Sequence, residues 1–229
     1  MSGEVLGDRL SKTHFSVPAI DFIANEIVSI ADVVELAVVV GGGNLLRGSE
    51  IQNDLKLEDS AVCDHVGMLA TTMNALILQG ILEQKFNLQT RVMTATEMRS
   101  FAELFIRRKA IRHLEKGRIV ILAGGIGNPN FSTDTAMVLR AHELNTDMTL
   151  KGTKVDGIYD KDPMRHPGAK KLASISYTDY LSRDLKILDS AAVALARNLK
   201  WPINVFNIFK KNNLKKIVGG ASIGSRVIS

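Results

Sequence analysis

Leu36-Ala37-Val38-Val39-Val40-Gly41-Gly42-Gly43-Asn44 is the stretch on which the fold turns. Its apolar run lacks the alternation of a half-buried strand and fits one buried on both faces, as parallel strands covered by helices are. The run stops at three glycines, where a strand would turn into a loop. A second stretch repeats the pattern: residues 118–123 (RIVILA) run into Gly124-Gly125-Ile126-Gly127-Asn128-Pro129.

Helical patterns flank both stretches. Ser16-Val17-Pro18 followed by Ile20, Ile23, Ile27 and Ile30 reads as a capped amphipathic helix. The sequence predicts further helices over 60–85, 107–116, 133–144 and 186–199, with strands over 90–94, 147–150, 203–207 and 225–228. Alternation of this kind argues for an α/β fold, a three-layer α/β/α sandwich with a mostly parallel central sheet. One domain is expected, with a lobe over about 1–145 and another over 146–229.

The 229 residues are 45% hydrophobic and 23% charged, an ordinary globular composition. No stretch approaches the roughly 20 apolar residues that cross a bilayer, so no membrane partner is expected. The single cysteine, Cys63, rules out an internal disulfide framework and suits a cytoplasmic setting. The net charge of +5 is compatible with nucleotide ligands. Lys210, Lys211, Lys215 and Lys216 form the one dense basic cluster, read as a solvated helix face. With few aromatic stacking partners, nucleic acid is set aside. His65 is read as a packed or capping histidine, and the histidines and Cys63 show no zinc spacing, so no protein-held metal is expected.

Two glycine loops at strand ends suit phosphate, because glycine lets backbone N–H groups approach the oxygens. Neither loop matches the P-loop pattern or the dinucleotide-binding fingerprint. Arg47 offers a bidentate phosphate clamp, with a surface arginine as the plain alternative. Asp64, read as opening a helix, offers a carboxylate for ribose hydroxyls or only an N-terminal charge. Ser132 or Thr133 serves as a cap or a ligand group, and Asp134 as an anchor for catalytic cations. Met68, Met73 and Leu76 read as helix core or a subunit contact.

Six blocks together resemble the bacterial UMP kinases of the amino-acid-kinase family: SGE (2–4), VVVGGGNLLRG (38–48), DHVGMLATTMNAL (64–76), GNPNFSTD (127–134), LKGTKVDGIYDKDP (150–163) and LDSAAVALARNLKWPINVFN (188–207). The resemblance implies the amino-acid-kinase fold and transfer of a phosphoryl group from ATP to UMP, with Mg²⁺ accompanying ATP. It assigns Gly42, Arg47, Asp64, Ile126, Gly127, Asn128, Pro129, Asn130, Phe131, Ser132 and Thr133 to UMP. It assigns Ser2, Gly3, Gly43, Arg47, Thr153, Tyr159 and Asp162 to ATP, and catalysis to Asp134 and Arg47. It further implies a homohexamer activated by GTP and inhibited by UTP. The family pattern carries an apolar strand and a lysine before SGE, whereas Met1 stands at the position next to Ser2, so an earlier start codon is expected. Ile126 departs from the family's usual threonine. Two alternatives stand beside this reading: an amino-acid or carbamate kinase of the same fold, and a non-catalytic nucleotide-binding or storage protein.

Overall fold

The computed structural model describes residues 1–7, 14–46, 48–161, 163, 165, 166 and 168–229. It divides into two compact units, Met1–Thr133 and Asp134–Ser229.

In the first unit, a short 3-10 turn at Gly3–Val5 precedes α1 (Val17–Ala31). The Ser16 side chain accepts a hydrogen bond from the Ala19 N–H, which caps this helix, and Ile20, Ile23, Ile27 and Ile30 are buried as their spacing requires. There follow β1 (Ala37–Val39), α2 (Gly48–Leu55), α3 (Ser60–Phe86), β2 (Thr90–Thr94), β3 (Glu103–Leu104), α4 (Arg107–Leu114) and β4 (Ile119–Ala123). The four strands lie in the order β1-β4-β2-β3, all parallel. Every residue of β4 is buried, each large side chain contributing about 1.5–3 kcal/mol. Val39 stands opposite Leu122 in the β1·β4 register, so both glycine loops leave the same end of the sheet.

The second unit holds α5 (Thr133–Leu144) from its second residue on and continues through β5 (Leu150–Thr153), β6 (Ile158–Tyr159), β7 (Lys171–Leu172), β8 (Ser174–Ser176), α6 (Tyr177–Ser182), α7 (Ser190–Leu199), β9 (Ile203–Asn207), α8 (Asn213–Val218) and β10 (Ser225–Ile228). Its sheet runs β5-β9-β10-β8, with only the β9·β10 pair antiparallel, and β6 and β7 form a separate antiparallel pair. The fold is thus α/β with mostly parallel sheets. The division falls at the start of α5, ahead of the lobe boundary placed at 145, because Asp134 and Thr135 already bond to Lys151 and Asp189.

Several boundaries differ from the sequence reading. The strand expected over 147–150 is β5, beginning at Leu150. Gly152 lies inside that strand, where a Cβ would fall 2.9 Å from the Ile208 side chain. The helix expected from 186 begins at Ser190, with Asp189 as its cap. Leu188 is held out of it by the Tyr180 hydroxyl, which accepts from the Leu188 N–H at 2.6 Å and donates to its carbonyl at 3.1 Å. The helix read to 116 ends at Leu114.

By length and composition α3 is apolar enough to cross a membrane, which the sequence reading did not expect. Its buried Ala70, Thr71, Asn74, Ala75, Leu78 and Leu82 place it as a core helix.

Candidate active site

In the first unit the site is built on the two glycine loops. The first follows β1. Gly41 donates its N–H to the Met1 carbonyl at 2.9 Å, and the Gly3 backbone lies against Gly41 and Gly43. Ser2 and Gly3, assigned to ATP, therefore join Gly42 and Gly43 at one place. The Gly42 and Gly43 N–H groups have no hydrogen-bond partner among the described residues, although Gly42 is buried. A buried amide without a protein partner is met by a ligand acceptor or by water.

The second loop follows β4. Gly124 and Gly125 adopt φ of +75° and +58°, the left-handed region that side chains resist. The Gly124 N–H is committed to Thr71 Oγ1 at 2.7 Å, the Gly127 N–H to the Gly124 carbonyl at 3.0 Å, and the Asn130 N–H to Asp64 Oδ2 at 2.7 Å. Those of Gly125, Ile126 and Asn128 make no hydrogen bond among the described residues. Phe131 is exposed, Ser132 and Pro129 lie on the same loop, and the Thr133 hydroxyl comes up against Gly41. Asp64 sits in the second turn of α3 rather than opening it, and Asp59 is the cap. Its carboxylate is a bridge between α3 and the second loop. His65 beside it is exposed, neither packed nor capping.

In the second unit Asp134 is 8% exposed and Lys151 is 9%. The Lys151 ammonium bonds to Asp134 Oδ1, and Asp134 Oδ2 accepts from the Asp189 N–H at 3.3 Å. Asp134 was expected to hold a cation. Sequence reasoning did not single out Lys151, whose only signal is a lysine inside a short buried strand. Thr153 uses its hydroxyl locally, donating to the Val155 carbonyl at 2.7 Å, so it shapes the turn after β5. Tyr159 donates to Asp156 Oδ1 at 2.5 Å. That bond, with Lys171 and Lys210 nearby, holds the Asp156 carboxyl below the usual carboxylate range and pushes the Tyr159 phenol up. Arg47 and Asp162 lie outside the described residues.

Unpaired amides on two loops suit phosphate oxygens, and a buried lysine fixed by a carboxylate suits charge developing on a transferring group. The sequence profile of the amino acid kinase family matches residues 1–207. The solved UMP kinase of Bacillus anthracis is similar at a TM-score of 0.93 and 36% identity, covering 99% of this chain and 93% of that one. The UMP kinase of Ureaplasma parvum aligns at 0.90 and 30%, covering 100% and 96%. The uridylate kinase of Archaeoglobus fulgidus aligns at 0.73 and 25%, covering 99% and 97%.

Proposed function

Because the chain belongs to the amino acid kinase family, we propose that it transfers the γ-phosphoryl group of ATP to UMP, giving ADP and UDP. The observation that carries this reading is the set of unpaired N–H groups on two glycine loops at one sheet end, in a chain similar over its whole length to UMP kinases.

A phosphate oxygen of UMP attacks the γ-phosphorus, the new O–P bond forms, and the bond to the β-phosphate oxygen breaks as ADP leaves. Such a transfer needs positioning and charge neutralisation more than covalent chemistry by the protein. The amides of Gly42, Gly43, Gly125 and Ile126 bind phosphate oxygens. Asp64 holds the second loop through Asn130. Within the second unit Asp134 orients Lys151, a candidate cation for phosphoryl charge. Tyr159, held by Asp156, serves the adenine. Mg²⁺ enters with ATP. When bound with ATP it would take mainly phosphate oxygens and water as ligands.

The assembly is a homohexamer in the cytoplasm whose activity responds to GTP and UTP. Val62, Leu69 and Met73 support self-association. They recur at helical spacing along α3 and are 48%, 52% and 51% exposed.

An acceptor panel under Mg²⁺–ATP, read by ADP release, tests the reaction. UMP is expected to exceed CMP, AMP, carbamate and amino acids by orders of magnitude in kcat/KM. Faster turnover of carbamate or an amino acid would replace the reading with another kinase of this family.

A further inference from the structure

One face of α3 grips both glycine loops. Asp64, Gly67, Thr71 and Asn74 recur at spacings of three and four, which puts them side by side along the helix. Asn74 is fully buried. One of its Nδ2 hydrogens goes to the Gly41 carbonyl at 2.6 Å and the other to Asn44 Oδ1 at 2.7 Å, while its Oδ1 accepts from Asn44 Nδ2 at 3.2 Å. The amide thus clamps residues 41 and 44 and leaves Gly42 and Gly43 spanning the gap with their N–H groups unpaired. A Cβ at Gly42 would fall 2.9 Å from the Gly67 carbonyl and 3.0 Å from the Thr71 nitrogen, so the loop rests directly on the helix backbone.

Thr71, 6% exposed, does the same for the second loop. Its hydroxyl donates to the Met68 carbonyl at 2.6 Å and accepts from the Gly124 N–H at 2.7 Å. That acceptor fixes the first of two left-handed glycines, and with it the direction of the unpaired Gly125 and Ile126 amides. The Thr71 hydroxyl proton and both Asn74 Nδ2 hydrogens are spent within the protein, so neither side chain has a donor left for a phosphate.

We propose that Thr71 and Asn74 are positioning residues that set the spacing and tilt of the two loops, so that amides from both meet the phosphate of one acceptor nucleotide. This rests on the kinase reading for the identity of that nucleotide. Because α3 is a rigid rod, it holds the two loops as one piece, and a displacement of about 1 Å at such a site costs on the order of 100-fold in rate.

The test compares wild type with Thr71→Val, Thr71→Ser and Asn74→Ala, reading UMP and ATP affinities by calorimetry, KM and kcat for each nucleotide, and melting temperature. Thr71→Val keeps the shape and removes the acceptor, so the UMP Kd and KM are expected to rise about tenfold or more. The ATP Kd is expected to stay within about twofold, and Thr71→Ser to restore UMP binding to within about threefold, by the same positioning argument. Asn74→Ala should share the loss of UMP binding, while nucleotide selectivity is read on Thr71→Val, because Asn74 also holds the loop that carries Gly43. Equal losses for both nucleotides in Thr71→Val that follow the melting temperature, a Thr71→Ser as impaired as Thr71→Val, or unchanged UMP binding in Thr71→Val would each overturn the inference. Wild type that binds UMP without transferring phosphate defeats the kinase reading alone, and the Kd ratios still decide the positioning role. Wild type that binds no UMP overturns both.

Discussion

At Asp134 one carboxylate serves two neighbours, taking the Lys151 ammonium on Oδ1 and the Asp189 N–H on Oδ2. Lys151→Met removes the cation and leaves a buried carboxylate without its lysine. Loss of one partner of a buried pair costs about 3–5 kcal/mol of stability. Where such a lysine neutralises a transferring group, its loss costs about 10²–10³ in kcat. A kcat within threefold of wild type would remove Lys151 from the chemistry. Asp64→Ala acts differently, since it frees Asn130 and the second loop with it. The KM for UMP is expected to rise about tenfold or more while that for ATP stays nearly constant; equal rises would move Asp64 out of the acceptor site. The sequence singled out Asp64 and Asp134 because they lie beside the glycine loops; the bond from Lys151 fits the anchoring role expected of Asp134. Lys151 was not legible there, because its partner is 17 residues away and only the folded chain brings them together. Thr71 and Asn74 were invisible for a similar reason: in a helix pattern they read as small polar positions, and their partners are loop backbone atoms.

At the scale of elements, α1, α3, β2, β4, α5 and β9 were read close to their observed spans because each is long enough to show a period or an unbroken apolar run. The strands β3, β6, β7 and β8 are two or three residues long, too short for alternation to register. The α6 helix depends on Tyr177 and Tyr180 being buried, which composition alone does not announce. In α3 the cap and the grip are separable. Asp59 accepts from the Ala61 N–H at 2.9 Å, four residues and more ahead of the loop contacts. Asp59→Ala is expected to lower stability by about 1 kcal/mol, or a melting temperature shift of about 2–4 °C. UMP affinity should be unchanged. A tenfold loss of UMP binding with this cap change would mean that α3 transmits end fraying to the loops.

For the molecule as a whole, the α/β class and the mostly parallel pairing followed from apolar strands ending in glycine, and the comparisons place the chain in the amino acid kinase family. The grouping of strands into two sheets, with β10 reversed against β9, was not legible, since strand order is set by tertiary contacts and not by local pattern. Self-association belongs to this scale too. Leu69→Glu puts a charge on the exposed apolar line of α3, and light scattering is expected to show a smaller particle than wild type. An unchanged mass would put the subunit contact elsewhere. The central claim is tested most directly by mixing the purified chain with UMP, Mg²⁺ and ATP labelled in its γ-phosphate, then separating the nucleotides. Label is expected to leave ATP and appear in UDP, in step with ADP. Label that stays in ATP, or is released only as inorganic phosphate while UMP is recovered unchanged, would contradict it.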